Sequence, residues 1–137
     1  MKTIINAYLH LEGRCREAMS FYQDCFGGKL TLQAVKDSPM ADQWPAGLQN
    51  QILHASLISD NLVLLGSDMT DGEGAVIKGS NISLSITCSN GAEMQEFFSA
   101  LSKDGEVKRP IHSFFAGRMA AVQDKYGIFW MLYSDKK

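Results

Sequence analysis

Several things are scarce in this chain. Its 137 residues include only three prolines and three cysteines, and 20% of them are charged. Acidic and basic side chains nearly balance at a formal net charge of −2, so the charge sum supports neither a nucleic-acid nor an anionic-membrane partner. No run approaches the roughly 18 consecutive apolar residues of a membrane span. The opening stretch, MKTIINAYLHLEGR, is interrupted by Asn6 and His10 and lacks the small-residue cleavage site of a secretory signal. Cys15, Cys25 and Cys88 are odd in number and show no CxxC spacing. If Cys15 and Cys25 share a helix they stand roughly 15 Å apart, too far for a disulfide. The cysteines are expected to be packing residues, and the cytoplasm is the expected compartment.

What remains is ordinary globular material. Hydrophobic residues make up 45% of the chain. A chain of this length buries roughly two-thirds of its unfolded surface, so one domain over residues 1–137 is expected. Residues 3–11 alternate, with Ile5, Ala7, Leu9 and Leu11 on one face and Asn6, Tyr8 and His10 on the other, which is strand periodicity. The period then changes. Cys15, Ala18, Met19, Tyr22, Cys25 and Phe26 form a helix stripe that Gly27-Gly28 ends. Strand-like runs follow at 29–36, 50–58 and 61–66, the last two joined across Asp60-Asn61. A loop occupies 37–49, and a Gly- and Asp-rich connection occupies 67–79.

The pattern then restarts. Residues 81–88 alternate, with Ile82, Leu84, Ile86 and Cys88 on one face. Asn90 and Glu93 have the spacing of a capping box, Met94, Phe97, Phe98 and Leu101 mark a second helix, and Gly105 is expected to end it. Strand runs follow near 106–112, 116–123 and 128–134. Phe21-Tyr22 answers Phe97-Phe98 at a distance of 76 residues. The order strand–helix–three strands therefore occurs twice, in a module over about 1–68 and another over about 80–137. The last strand of each module, Leu62–Leu65 and Ile128–Tyr133, is apolar almost throughout, which predicts cover on both faces. The polar faces of the first strands, set beside apolar walls, fit a pocket; the alternative is that they face solvent.

Tyr8, Leu9, Leu11 and Gly13, then Glu17, Ala18, Phe21, Tyr22, Phe26, Gly27 and Gly28, follow the spacing "YL.F.G … EA..FY...FGG". With the two hairpins HASLISDNLVLLGSD and SFFAGRMAAVQDKYGIFWML, the chain resembles the vicinal oxygen chelate superfamily of glyoxalases, bleomycin- and fosfomycin-resistance proteins and extradiol dioxygenases. Within it, the pattern is that of the PhnB-like group. The group's Asp-Pro-Phe-Gly before the last strand is here Asp124-Lys125-Tyr126-Gly127, without the proline. The resemblance implies an α+β, glyoxalase-like fold: two βαβββ modules forming curled mixed sheets around a shared cavity, commonly as a homodimer. It also implies four metal-ligand positions, which fall on Asn6 (or Ala7), Leu65 (or Gly66), Asn81 and Met131. None of these is a good ligand for a divalent first-row metal.

The expected function is therefore small-molecule binding without the family's metal and without a cofactor, nucleic acid or membrane. Asn6, Tyr8, His10, Trp44, His54, Asn81, Phe129 and Met131 are the expected pocket residues. Two alternatives stay open. One is a lyase, isomerase or transferase with a divalent ion involving His10 or His54, or with a histidine base; the other is a resistance-type dimer that sequesters a drug. His10 and His54 could equally be ligand contacts or surface residues. Trp44 could cover a ligand, anchor a dimer or simply pack its loop. Asp68, Asp71 and Glu73 do not make a calcium loop, because Gly79 stands where the closing Glu would be. Cys15, between Arg14 and Arg16 at a helix start, could be an activated thiol or a core residue.

Overall fold

Pattern and structure agree first in the two helices. In the computed structural model, which describes residues 2–69 and 76–135, α1 spans Cys15–Phe26 and α2 spans Gly91–Ser102. The strands are β1 (Ala7–His10), β2 (Lys29–Ala34), β3 (Ile52–Ser59), β4 (Leu62–Ser67), β5 (Leu84–Thr87), β6 (Glu106–Phe114), β7 (Gly117–Gln123) and β8 (Phe129–Ser134). Three 3-10 turns, Val35–Asp37, Ala41–Gln43 and Ala46–Leu48, occupy the loop after β2. The chain divides into two compact units, Met1–Ile77 and Lys78–Lys137, at a point inside the Gly- and Asp-rich connection.

In the first unit the sheet order is β1-β4-β3-β2, with β1 parallel to β4 and the other pairs antiparallel. The stripe of α1 buries Cys15, Ala18, Met19 and Tyr22. Gly66 on β4 lets the helix approach: a Cβ there would meet Met19 Sδ at 3.2 Å and Cys15 Sγ at 3.5 Å. Arg14 at the N-cap makes no side-chain cap bond; instead Asp68, just past β4, accepts from Cys15 N at 2.8 Å. Gly27 ends the helix at φ 75°, and its N–H donates to Gln23 O.

The second unit repeats the plan as β5-β8-β7-β6, again with one parallel pair, β5 and β8. The capping box of α2 is formed: Asn90 Oδ1 accepts from Glu93 N, and Glu93 Oε1 accepts from Ser89 N, both at 2.9 Å. Trp130, Leu132, Ala120 and Val122 make the buried side of this sheet, with Met94 and Leu101 buried on α2. Both sheets are mixed, so the α+β, twice-βαβββ architecture is present.

Three local expectations are corrected. The first strand covers Ala7–His10 rather than 3–11, and β5 covers Leu84–Thr87 rather than 81–88. Alternation continues upstream of both, but the ladders start at Ala7↔Leu64 and Leu84↔Trp130, and Ile5 is 96% exposed. The second helix ends at Ser102, with Asp104 in the left-handed region at φ 59°, so Gly105 does not end it. Along β4, Leu64 is buried while Val63 is 38% exposed in the single chain. Among the described residues no helix is long and apolar enough to cross a membrane.

Candidate functional site

Alternation along each strand gives the first sheet two faces with different chemistry. Leu9, Ala55, Leu57 and Leu64 are buried on the α1 side. The opposite face carries Tyr8 and His10 from β1, Thr31 and Gln33 from β2, His54 and Ser56 from β3, and Leu65 from β4. The register places these side by side through Tyr8↔Leu65, Ser56↔Leu65, Thr31↔Ser56 and Gln33↔His54.

Three of the expected site residues meet here. The Tyr8 hydroxyl lies 3.4 Å from His54 Nδ1. The Tyr8 ring stands 5.4 Å from that of His10 and 5.9 Å from that of His54, tilted by 39° and 43°. His10 Nδ1 donates to the Met69 carbonyl at 3.3 Å. Tyr8 is 43% exposed and both imidazoles are exposed, so none of the three is needed for the core. Neither imidazole Nε2 has a hydrogen bond among the described residues. The cluster can donate, accept or exchange a proton through two imidazoles and a phenol.

The second sheet presents a different face. Phe129, Met131 and Tyr133 of β8 pair with Gln123, Ala121 and Met119 of β7, and all six are half-buried. Ser85 and Thr87 of β5 lie beside Met131 and Tyr133. Lys108 Nζ sits 5.9 Å over the Phe129 ring, and Phe114 meets Tyr133 edge-on at 5.9 Å. Phe129 and Met131 thus belong to an apolar, aromatic surface. Asn6 and Asn81 are exposed and lie outside the strands. His112, half-buried on β6, has Nδ1 2.9 Å from the Pro110 carbonyl. Trp44 is half-buried just after the second 3-10 turn, and its buried Nε1 has no partner among the described residues.

The superfamily's metal does not fit the carried positions. Ala7, Leu65, Gly66 and Met131 offer no imidazole, carboxylate or thiolate, and Asn6 and Asn81 offer only amide oxygens. Among the described residues no three His, Cys, Asp or Glu side chains are grouped as metal ligands.

Other chemistry resolves differently. Burial, helped by the Asp68 carboxylate and opposed by Arg16, pushes the Cys15 thiol up to about 12, so this cysteine is a core residue and not an activated nucleophile. Burial also raises Cys88, with Glu93 as a second cause. Asp68 is a structural clasp: its two oxygens accept from Cys15 N and Ile52 N, each at 2.8 Å. Asp71 and Glu73 lie outside the described residues. Asp124 plays a comparable part in the second unit, accepting from Tyr126 N at 2.9 Å, Ile128 N at 3.1 Å and Trp130 Nε1 at 2.8 Å. An open depression of about 330 Å3 lies beside it, lined by Lys78, Asp104, Glu106, Gln123 and Lys125 among others. None of the expected site residues lines it.

Neither clasp was anticipated from sequence. The available signal was for Asp124 alone, in the Asp124-Lys125-Tyr126-Gly127 turn before the last strand.

Comparison with known proteins places this geometry among relatives. Residues 3–133 match the family described as 3-demethylubiquinone-9 3-methyltransferase. The chain is 25% identical to protein YjdN of Escherichia coli K12, covering 93% of this chain and 92% of that one. The crystal structure of protein PA1353 from Pseudomonas aeruginosa superposes with a TM-score of 0.87 at 30% identity, over 99% and 100% of the two chains. A Bacillus cereus PhnB protein, described as a candidate 3-demethylubiquinone-9 3-methyltransferase, gives a TM-score of 0.76 at 24% identity, over 96% and 99%. More distant structures share the fold alone and include glyoxalase-related and fosfomycin-resistance proteins.

Proposed function

The chain belongs to the 3-demethylubiquinone-9 3-methyltransferase family, a PhnB-like group of the glyoxalase and fosfomycin-resistance superfamily, and on that premise we propose that it is a small-molecule-binding protein working without the superfamily's metal. The observation that carries this reading is the Tyr8–His10–His54 cluster. Three polar rings sit together on an exposed sheet face, where packing gives no reason for them. Binding sites are recognised by a few convergent polar groups on a scaffold formed in advance. The positions that would hold the metal carry amide and apolar side chains, so the ligand must be held by hydrogen bonds and contact area. Native mass spectrometry with elemental analysis of freshly purified, untagged protein tests this. A co-purified organic ligand with little metal is the expected result; about one zinc, nickel, manganese or iron per chain overturns it.

One observation favours a second reading. The Tyr8 hydroxyl lies 3.4 Å from His54 Nδ1, and acid–base pairs are often this long before a substrate is bound. On that reading His54→Ala abolishes turnover of a family substrate, whereas for a binding protein it only weakens affinity.

The reading includes a cytoplasmic homodimer. Each sheet has two edge strands, β1 and β2 or β5 and β6, and Ile4 and Ile5 lie exposed before one of them. Light scattering that returned a monomer mass at micromolar concentration would refute the dimer. Cell fractionation tests the compartment, and recovery outside the cytoplasmic fraction refutes it.

A further inference from the structure

We infer that the Tyr8–His10–His54 face takes a small organic anion, bound through carboxylate or phosphate oxygens, and that it does so more tightly as the imidazoles gain protons. This rests on the small-molecule reading above and adds a ligand class to it.

Charge on the face is the first support. The four strands of the first sheet contain no aspartate or glutamate. The titratable groups on the face are Tyr8, His10, His54 and, on β2, Lys29; every charge they carry at neutral or mildly acidic pH is positive. Two described carboxylates outside the strands bond backbone groups: Asp68 accepts from Cys15 N and Ile52 N, and Glu12 accepts from Val76 N at 3.2 Å. Facing His10 are Tyr8 on its own strand and the Met69 carbonyl; Gln33 on β2 and Tyr8 on β1 face His54. Among the described residues of the four strands a cation would meet no carboxylate, whereas an oxyanion would meet three donors.

Donor bookkeeping is the second support. With His54 neutral and its proton on Nε2, Tyr8 O–H donates to its Nδ1, and the phenol has no proton left for a ligand. Protonation reverses that bond: His54 Nδ1–H donates to the phenol oxygen, and the phenol proton turns outward. His10 keeps Nδ1–H on the Met69 carbonyl, and its Nε2 becomes a donor on protonation. The cluster then presents Tyr8 O–H and two imidazolium N–H groups, an all-donor surface that suits an oxyanion and not an amine. Thr31, Gln33 and Ser56 add neutral hydrogen-bonding groups along the same face.

The chain has three histidines, so its imidazole NMR spectrum has three ring systems, and His112 in the second unit is an internal control. We would titrate benzoate, phenyl phosphate, benzyl alcohol and benzylamine, which share a ring and differ in charge. Benzoate or phenyl phosphate should move His10 and His54 but not His112 and raise the midpoints of the first two. Binding should be roughly tenfold tighter at pH 5.5 than at pH 8, the range in which histidine is the side chain that changes charge. Tyr8→Phe should weaken the anions and leave benzyl alcohol unaffected. If benzyl alcohol or benzylamine binds the pair as well as benzoate, the anion preference fails while the small-molecule reading survives. If none of the four probes moves either ring, or affinity ignores pH, the inference is overturned. The broader reading is judged separately, by co-purified ligand and metal content.

Discussion

Asp68→Asn is the most informative single perturbation, because one carboxylate joins three elements. Its Oδ1 accepts from Cys15 N at the start of α1 and its Oδ2 from Ile52 N at the start of β3, both at 2.8 Å, and it follows directly on β4. Asparagine keeps one acceptor oxygen and turns an NH2 toward the other backbone N–H. One charge-assisted bond is lost, worth about 1.5–3 kcal/mol. The negative charge at the N-terminus of α1 is lost as well, worth about 0.3–1 kcal/mol. Because Asp68 is partly exposed, the lower part of that range applies, about 2 kcal/mol. For a chain of this size that corresponds to a Tm fall of roughly 6–10 °C. Urea unfolding measures it directly. A second readout isolates the electrostatics: Cys15 should become more acidic, yet stay above an ordinary thiol, because burial is the larger cause of its shift. The rate of Cys15 alkylation against pH reports this. If Asp68→Asn is within about 0.5 kcal/mol of the parent, and the thiol does not move, the clasp does not hold the unit together.

The other expectations are simpler. Asn90→Ala removes the acceptor for Glu93 N and should cost about 1 kcal/mol by urea unfolding; no measurable loss would mean the α2 cap is idle. Cys15 sets a pH dependence of known sign. Its thiol holds a proton in the folded state up to about 12 but releases it near 9.0 when unfolded. Its contribution is complete below the lower value and declines between the two, at up to about 1.4 kcal/mol per pH unit. The slope of stability against pH above 9 should therefore be shallower in Cys15→Ala; equal slopes would contradict it. Gly117→Ala should largely unfold the second unit: φ is 141°, and the new Cβ would collide with the Ser134 carbonyl oxygen. A circular dichroism melt like that of the parent would show that the β7–β8 strands can shift to make room.

How much of this was legible in sequence depends on how far each interaction reaches along the chain. The helices were readable because their signals are local. The α1 stripe repeats within twelve residues, and the Asn90–Glu93 box spans three. The strand starts were misread because alternation is a property of one segment, while a ladder needs a partner, and β1 and β5 gain theirs only at Ala7 and Leu84. The candidate site was half legible. Tyr8, His10 and His54 were each picked out by face or residue type, but their meeting joins positions 46 apart. Asp68 was invisible because its partners lie 53 and 16 residues away. In the Asp124-Lys125-Tyr126-Gly127 turn, which lacks the proline, the Asp124 carboxylate gathers Tyr126 N, Ile128 N and Trp130 Nε1.

The two modules also show where a duplicated scaffold is free to change. On the helix side each sheet must fill a fixed space: Leu9, Leu57 and Leu64 in one, Val122, Trp130 and Leu132 in the other, all buried. Volume and polarity there are limited by packing, so both copies stay apolar. The opposite faces are less buried and differ in residue type. The second residue of β1 is Tyr8 and that of β5 is Ser85; β3 contributes His54 and Ser56 where β7 contributes Met119 and Ala121. One copy became a hydrogen-bonding, carboxylate-free surface and the other an aromatic one. Specificity in this chain must therefore be sought on the faces turned from the helices. If His10, Tyr8 and His54 were replaced together by Ser, the fold should lose little stability, because none of the three is buried; the lost property should be ligand affinity. A large fall in Tm for that triple variant would show that the cluster is structural, and the division between packed and free faces would no longer locate the function.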